Sequence, residues 1–521
     1  MALVRVPLIG AEGVNRDLSP HELPPTGWTD GLNVRFLEGR VEQALGWAPV
    51  YGTTTVVPLH TRYVRNAAGQ RYWLYCGAGK VYAAWNNAGV ITHTDLTRSS
   101  GGDYTGSVNS WTSTVLSGIP ILSPGNEVDP PQQWNLNPAN RLTALSSWPA
   151  STFCKTIRAY RNFLVALNIT KGSTRYPYMV KWSHPADVGA VPASWDETDP
   201  TKDAGEVDLA AGGDEIVDGL ALRDSFLIYK QRSIWRMDYT GGAAVFRFQQ
   251  VLGSSGALNR NCIVEVDGVH VVLTRDDLIV HDGQAPKSLL DNVARRKLFN
   301  DIDSANLGAC FVTHNPYFRE ILVCYPEAGQ SIPNRALVWN YANRTASFRG
   351  IPAAYSADIG EVDDPTDGTI DSRTGPVDSY VGIIDGGSYL NNAQRLVMAS
   401  SASRLQLMDA STLFDDAVPT AYVERIGLSM GSAETIKCVR SIRPRITGTL
   451  GATVRFSAAG MSDPFASPVY TAGSDFVIGQ SVSADLMVSG RYIAIKVQGG
   501  PTAYEWKLDS MDVDVVPAGR W

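Results

Sequence analysis

Asp196, Glu197 and Asp199, set beside Trp195, are one group of residues in this chain whose types suit chemistry. Two carboxylates flanking a glycosidic bond act as acid and as base or nucleophile, and a tryptophan face can carry a sugar ring. These three lie in a Pro- and Asp-rich connection, and their spacing does not make any two converge. A second acidic set comprises Asp358, Glu361, Asp363, Asp364, Asp367 and Asp371. It offers the oxygen donors that suit Ca²⁺ but lacks the EF-hand register, and it reads as a solvated loop. Cys76–Lys80 (CGAGK) looks superficially like a phosphate loop. A phosphate loop leads into a helix, whereas Val-Tyr-Ala-Ala-Trp follows here, so the segment reads as a hairpin turn. His60, His93, His184, His270, His281 and His314 are scattered without HExxH or a triad partner, and the GSSG at 253–256 is not a nucleophile elbow. No catalytic residue, cofactor or metal site is expected.

The six cysteines, Cys76, Cys154, Cys262, Cys310, Cys324 and Cys438, show no CxxC spacing and mostly fall in apolar strand-like runs. Buried free thiols are the expectation. Cys310 and Cys324 flank the turn His314–Phe318 and could face each other across a hairpin, which keeps a disulfide there as the alternative.

The elements that would position such residues are short strands. Leu222–Gly283 holds two consecutive sets of them, broken at Arg223-Asp224, Lys230-Gln231-Arg232, Thr240-Gly241-Gly242, Asp267-Gly268, Arg275-Asp276 and Asp282-Gly283. Val, Ile, Phe and Tyr at alternate places mark half-buried strands, and Asp-Gly and Gly-Gly supply the positive φ that tight hairpins need. Four such strands form a sheet that cannot bury both faces alone, so copies stack about an axis as propeller blades. Further sets occur at Tyr63–Leu96, Val108–Trp134, Cys154–Trp182 and Ala309–Gly350, and Arg395–Asp409 resumes a hairpin. Trp134, Trp182, Trp235 and Trp339 mark intervals of roughly 45–60 residues, or twice that, in the range of propeller repeats.

Six or seven blades over residues 51–410 are expected, with an acidic, glycine-rich loop near 357–386. After Pro419 the strands lengthen, which predicts a β-sandwich over 411–521. Residues 1–50 carry a strand–turn–strand bending at Glu38-Gly39, and would close the propeller or contact a neighbouring subunit. The fold class is therefore all-β, a β-propeller followed by a C-terminal β-sandwich. One helix is predicted, over Ser288–Ile302, where Leu289, Leu290, Val293, Leu298 and Ile302 share a face.

The 521 residues exceed a single core, and 48 glycines with 29 prolines suit a turn-rich β protein. A net charge of -7 argues against a chain whose main task is gripping phosphates, though not against a passive wall around nucleic acid. No apolar run approaches the roughly 18–20 residues of a membrane span. The opening MALVRVPLIGAEG is too short and broken for a signal peptide, so folding in a cytoplasm is expected. Two basic segments stand out: Arg295, Arg296 and Lys297 on the predicted helix, and Lys437, Arg440, Arg443 and Arg445 on a sandwich strand that Pro444 places at an edge. Beyond solvated faces, they are candidates for salt bridges to a neighbouring subunit.

Several stretches resemble one family. FLIYKQRSIWRMDYTGG and FRFQQVLGSSGALNRNCIVEVDGVHVVLTRDDLIVHDG are similar to the tail hub or nozzle proteins of short-tailed bacteriophages, the packaged-DNA stabilisation proteins. So are NVRFLEGRVEQALGW, GIPILSPGNEVDPPQQW and MVKWSHPADVGAVPASW, and more loosely the segments RYIAIKV and AGRW. The resemblance implies a structural virion protein without enzymatic activity, assembled in the host bacterial cytoplasm as a homo-oligomeric ring, expected to be a hexamer. Its implied partners are the portal adaptor (head-to-tail connector), tail fibres, spikes or needle, and genomic DNA passing non-specifically through the channel, without membrane insertion. The alternative from another class is a propeller-type glycoside hydrolase or lyase, or a carbohydrate-binding protein.

Overall fold

The structure, a computed structural model, describes residues 2–242, 244–362 and 394–520. Seven four-stranded antiparallel sheets follow one another along the chain. Blade 1 is built from His60–Arg65, Arg71–Cys76, Val81–Asn87 and Val90–Asp95. Blade 2 runs from Thr112–Leu116 to Thr143–Ala144, and blade 3 from Thr152–Tyr160 to Gly205–Asp208. Blade 4 spans Ile216–Leu222 to Phe246–Leu252, and blade 5 Ile263–Val266 to Lys287–Ser288. Blade 6 spans Phe311–Asn315 to Thr345–Gly350. The first strand of each blade touches the first strands of both neighbours, around a full circle from blade 7 back to blade 1. That ring of inner strands defines a propeller.

Blade 7 needs help to reach four strands. Ala354–Gly360, Arg395–Ser400 and Arg404–Ser411 supply three, and Gly46–Thr53 from the start of the chain pairs with Arg404–Ser411 as the outermost. The boundary expected at residue 51 thus falls inside a strand. The residues before it belong elsewhere. Asp30–Leu32 pairs with Tyr422–Leu428, while Arg40–Gln43 and Ala2–Val6 pair with Trp506–Arg520. Val34–Leu37 and Arg40–Gln43 form a hairpin whose turn residues Glu38 and Gly39 have φ of 52° and 80°. Both sheets of the sandwich are therefore built from the two ends of the chain.

The longer strands expected after Pro419 are Tyr422–Leu428, Thr435–Gly448, Thr453–Met461, Tyr492–Gly499 and Trp506–Arg520, and Ala472–Val477 and Ala484–Gly490 join them. The sandwich core is not separate. Phe456, Ile495 and Val513 belong to one buried cluster with Leu278, Leu290, Leu298, Val323 and Leu337 of blades 5 and 6 and the segment between them.

The predicted helix is shorter than its apolar pattern. It spans only Arg295–Asp301, because Lys287–Ser288 is drawn into blade 5 and Asn292 takes a left-handed φ of 58°. Leu290, Leu298 and Ile302 are buried as the pattern required. Asp17 of the N-terminal segment accepts the Arg295 and Arg296 amides at 2.9 and 3.3 Å, supplying from a distance the cap that Ala294 cannot. Among the described residues no helix is long and apolar enough to cross a membrane.

Sandwich and propeller meet at a buried charge cluster. Arg35 of the N-terminal hairpin donates to Glu320 of blade 6 at 2.5 and 3.0 Å and to Asp409 of blade 7 at 3.0 Å. Arg349 of blade 6 also reaches Asp409 at 3.0 Å, and Asn315 completes that carboxylate at 2.8 Å. The four charged side chains are only 2–3 % exposed. Burial alone would push the Asp409 carboxyl up, but Arg35 and Arg349 outweigh it and hold it below the ordinary range. Asp409→Ala is expected to cost about 3–5 kcal/mol, the usual result of leaving buried charges uncompensated. Scanning calorimetry should show one transition moving down as a whole; two separating transitions would contradict the shared core.

Candidate functional site

The places where this fold could act are the propeller axis, the rim of blades 2 and 3, and the outer edges. At one end of the axis, loops from opposite sides of the ring meet. Asn109, ahead of blade 2, donates to the Gly308 carbonyl ahead of blade 6 at 2.7 Å and accepts from Asn261 ahead of blade 5 at 2.8 Å. Arg260 reaches the carbonyls of Ser110 and Lys155 at 2.8 and 2.7 Å. Arg158 of blade 3 holds Asp218 of blade 4 at 3.0 and 2.8 Å, and the Ser113 carbonyl of blade 2 at 3.0 Å. Five consecutive blades are thereby tied through side chains that face the axis. These ties use separations of 45–199 residues, so the sequence carried no local sign of them.

Blades 7 and 1 meet through Asp358, which accepts the Tyr63 amide at 2.6 Å and lies 3.4 Å from Arg62. Glu361 lies 2.6 Å from Arg71 and 3.4 Å from Arg65. Both acids of the Ca²⁺ reading that can be seen are thus paired with arginines. Asp363, Asp364, Asp367 and Asp371 lie outside the described residues. Among the described residues no group of three or more His, Cys, Asp or Glu side chains is placed to hold a metal ion.

The rim bears a groove of about 560 Å³ lined by Ile119, Trp134, Asn135, Asn140, Arg141 and Val191, among others. Another of about 260 Å³ contains Trp195, Asp196 and Glu197. Neither tryptophan offers a free face. Trp134 is buried against Tyr72, and its indole N–H is bound by the Asn137 and Asn140 carbonyls. Trp195 is 1 % exposed and packs edge-on to Trp148 at 4.6 Å.

The acids beside Trp195 are committed as well. Asp196 and Asp199 each accept two hydrogen bonds, from Thr198 and Thr201, at 2.7–2.9 Å. Glu197 lies 2.5 Å from Lys181, which is 1 % exposed, and 3.5 Å from Lys171; Glu206 closes the set. Burial pulls the Glu197 carboxyl up, but hydrogen bonding and the charges of Lys181 and Lys171 together outweigh it and bring it down to about 2. A carboxyl with that pKa stays ionised at neutral pH and is unsuited to donating a proton there.

CGAGK is a turn joining Arg71–Cys76 to Val81–Asn87, with Lys80 3.6 Å from Asp103. All six cysteines are free, including Cys310 and Cys324, and all but Cys438 are buried. Burial pushes Cys154 and Cys310 up to about 12 and raises Cys76, Cys262 and Cys324 as well.

Most basic candidates find partners within the chain. Arg295 lies near Asp277 and Asp291, Arg296 near Asp17, and Lys297 2.5 Å from Asp301. Lys437 is buried on the Arg491 carbonyl at 2.6 Å; Arg440 pairs with Asp514 at 2.9 Å and Arg445 with Asp512 at 3.0 Å. Arg443 is exposed opposite Asp512 in the ladder. Pro444 lies on the part of Thr435–Gly448 that pairs only with Trp506–Arg520, so its missing N–H meets a free edge.

No family model and no curated protein matches the chain. Among solved structures it is similar to exo-beta-1,3-galactanase from Phanerochaete chrysosporium, at 10% identity and a TM-score of 0.28, covering 91% of this chain and 100% of that one. It is also similar to the extracellular domain of a proposed hybrid two component system from B. thetaiotaomicron, at 9% identity and a TM-score of 0.29. There 61% of this chain is covered, and it spans about two fifths (41%) of that chain. The expectation that the chain has no enzymatic activity is corrected here: the similar structures include glycoside-cleaving enzymes, so that exclusion does not stand. At these scores the likeness transfers no activity and no residue.

Two measurements check this description. At pH 8 a thiol reagent should react quickly with one group, Cys438, and with six after denaturation; fewer than six would indicate a pair. Because the folded pKa of Glu197 lies below its ordinary value, its contribution to stability is complete above about pH 4.5 and disappears as pH falls towards 2. Glu197→Gln should therefore lower the melting temperature at pH 7 but not at pH 2.

Proposed function

We propose that the chain is a structural component of a short-tailed phage virion, a tail hub or nozzle subunit that assembles into a ring around the DNA channel. What supports this reading most is the union of propeller and sandwich into one body through the Arg35–Glu320–Asp409–Arg349 cluster and a common core. A subunit that must resist internal pressure needs domains that do not move against each other. With the propeller axis bridged by its own side chains, a channel for DNA would lie between subunits, not through a propeller. The net charge of -7 suits a wall along which DNA slides, because a basic lining would hold it. Outer strands such as Val90–Asp95, where Val90 is 66% exposed, leave edges for neighbouring copies.

Negative-stain microscopy and light scattering of the purified full chain should show closed rings of about six subunits, the usual behaviour of a heterologous contact that closes. A monodisperse monomer at tens of micromolar would overturn the ring. Retention on heparin at physiological salt would overturn the sliding wall.

A second reading, binding or cleavage of a glycan, is favoured by the rim groove, whose lining includes Asn135 and Asn140, while Gln133 is held by Ser146 and Arg141 by Thr97 and Asp95. Saccharide binding that Asn140→Ala weakens at least tenfold, by a monomeric protein, would establish it over the first.

A further inference from the structure

The seam between blades 4 and 5 contains a hydrogen-bonded chain that the preceding readings do not use. Tyr229 of blade 4 places its hydroxyl 2.6 Å from Nδ1 of His270 and 2.9 Å from Nε2 of His281, both in blade 5. The Nε2 of His270 lies 2.9 Å from the carbonyl oxygen of Ala221 in blade 4. The Gly283 amide lies 3.2 Å from Nδ1 of His281.

Both ends fix the proton positions. A carbonyl only accepts, so His270 carries its proton on Nε2 and accepts at Nδ1, where the Tyr229 hydroxyl donates. A backbone amide only donates, so His281 accepts at Nδ1 and carries its proton on Nε2, which donates to the Tyr229 oxygen. One consistent direction runs Gly283 to His281 to Tyr229 to His270 to Ala221, with both rings neutral.

An additional proton has no place in this arrangement. On Nδ1 of His270 it would confront the Tyr229 hydroxyl, which must then turn away. On Nδ1 of His281 it would confront the Gly283 amide. Either displaced donor would meet the apolar seam of Leu222, Leu227, Ile234, Val272 and Ile279.

The charged groups around the chain do not offset this. Asp282, adjoining His281, favours a protonated ring there but is outweighed by burial, and Asp218 acts on Tyr229 from the inner strand of blade 4. Glu265, opposite His270 in the ladder, accepts the Gly268 amide at 2.8 Å, and Arg223 of blade 4 lies over Gly268. Among the described residues none forms an ion pair with either ring.

We propose that Tyr229, His270 and His281 form an acid-released latch: neutral, it closes the seam between blades 4 and 5, and protonation of either ring opens that seam. Burial brings both rings down to about 4. An opened seam takes up protons near the ordinary histidine value of 6.5, so closure is strongest above about pH 6.5 and weakens as pH falls towards 4.

The test is hydrogen exchange by mass spectrometry on the full chain between pH 7 and pH 4.5, corrected for the intrinsic chemical rate. Exchange over Ser225–Lys230 and Val269–Leu273 is expected to rise at least tenfold more than over Glu320–Tyr325 of blade 6. In His270→Gln/His281→Gln that excess should vanish. A uniform rise over all blades, no rise, or an unchanged excess in the double variant would overturn the latch. Should the double variant not fold, histidine-selective NMR of the natural chain decides: two rings neutral at pH 5.5 support the latch, and two rings titrating near 6.5 sink it.

Discussion

The buried cluster of Arg35, Glu320, Asp409 and Arg349 is the constraint on which the remaining architecture depends. It contains two guanidiniums and two carboxylates, so it adds no net charge to the interior. Removing such groups from water is costly, and their attraction offsets the cost only with good geometry and complete hydrogen bonding. The geometry meets the first condition, and the second is met except at Arg349, whose Nε is buried without a partner. Arg35 binds Glu320 through two parallel contacts, its guanidinium lies 3.5 Å from the Phe318 ring centre, and Asn315 fills the remaining Asp409 oxygen. The four residues come from the N-terminal hairpin, blade 6 and the end of blade 7. Their convergence requires sandwich, sixth blade and seventh blade to be in place together.

That requirement accounts for the path of the chain. The first strands enter the sandwich, Gly46–Thr53 enters blade 7, blades 1 to 6 follow, and only then does blade 7 receive its other strands. Pairing Gly46–Thr53 with Arg404–Ser411 closes a loop of several hundred residues, but loop entropy grows only slowly with length, so closure is not prohibitive in equilibrium. Its consequence is kinetic, since such distant contacts form late. Arg349 also donates to the Leu45 carbonyl at 2.5 Å, one residue before the closing strand, so the charge cluster and the closure reinforce each other.

Blades were legible because alternation and turn chemistry are local. Asp267-Gly268 and Thr240-Gly241-Gly242 fall at hairpin ends, and Gly241 and Gly268 have φ of 67° and 78°. Strands of two residues, such as Gln132–Gln133, Thr143–Ala144 and Lys287–Ser288, are too short to show any period; their pairing partners define them. The last of these also explains the overlong helix: an apolar pattern over Ser288–Ile302 reports burial on one side, which a strand end, a turn and a short helix satisfy equally well. Membership of the N-terminal strands in the sandwich was invisible because their partners lie at least 390 residues away. The histidines looked scattered for the same reason. His270 and His281 are neighbours across a ladder, but Tyr229 joins them from another blade, 41 and 52 residues distant.

The same long-range geometry decides what the conspicuous polar residues do. Glu197 beside Trp195 invites a catalytic reading until Lys181, from a strand of blade 3, is found against it. Asp358 invites a cation until the Tyr63 amide and Arg62 of blade 1 are found to hold it. Each blade buries its faces against its neighbours, and blades 5 and 6 also against the sandwich, so polar groups near the seams and the axis are answered by the next sheet and become ties between sheets. Groups that remain available must then lie on the rim or the outer edges, where no further blade stands. On this architecture, the rim groove of blades 2 and 3 and the open outer strands are the surfaces from which a partner, whether glycan or sister subunit, can be recognised.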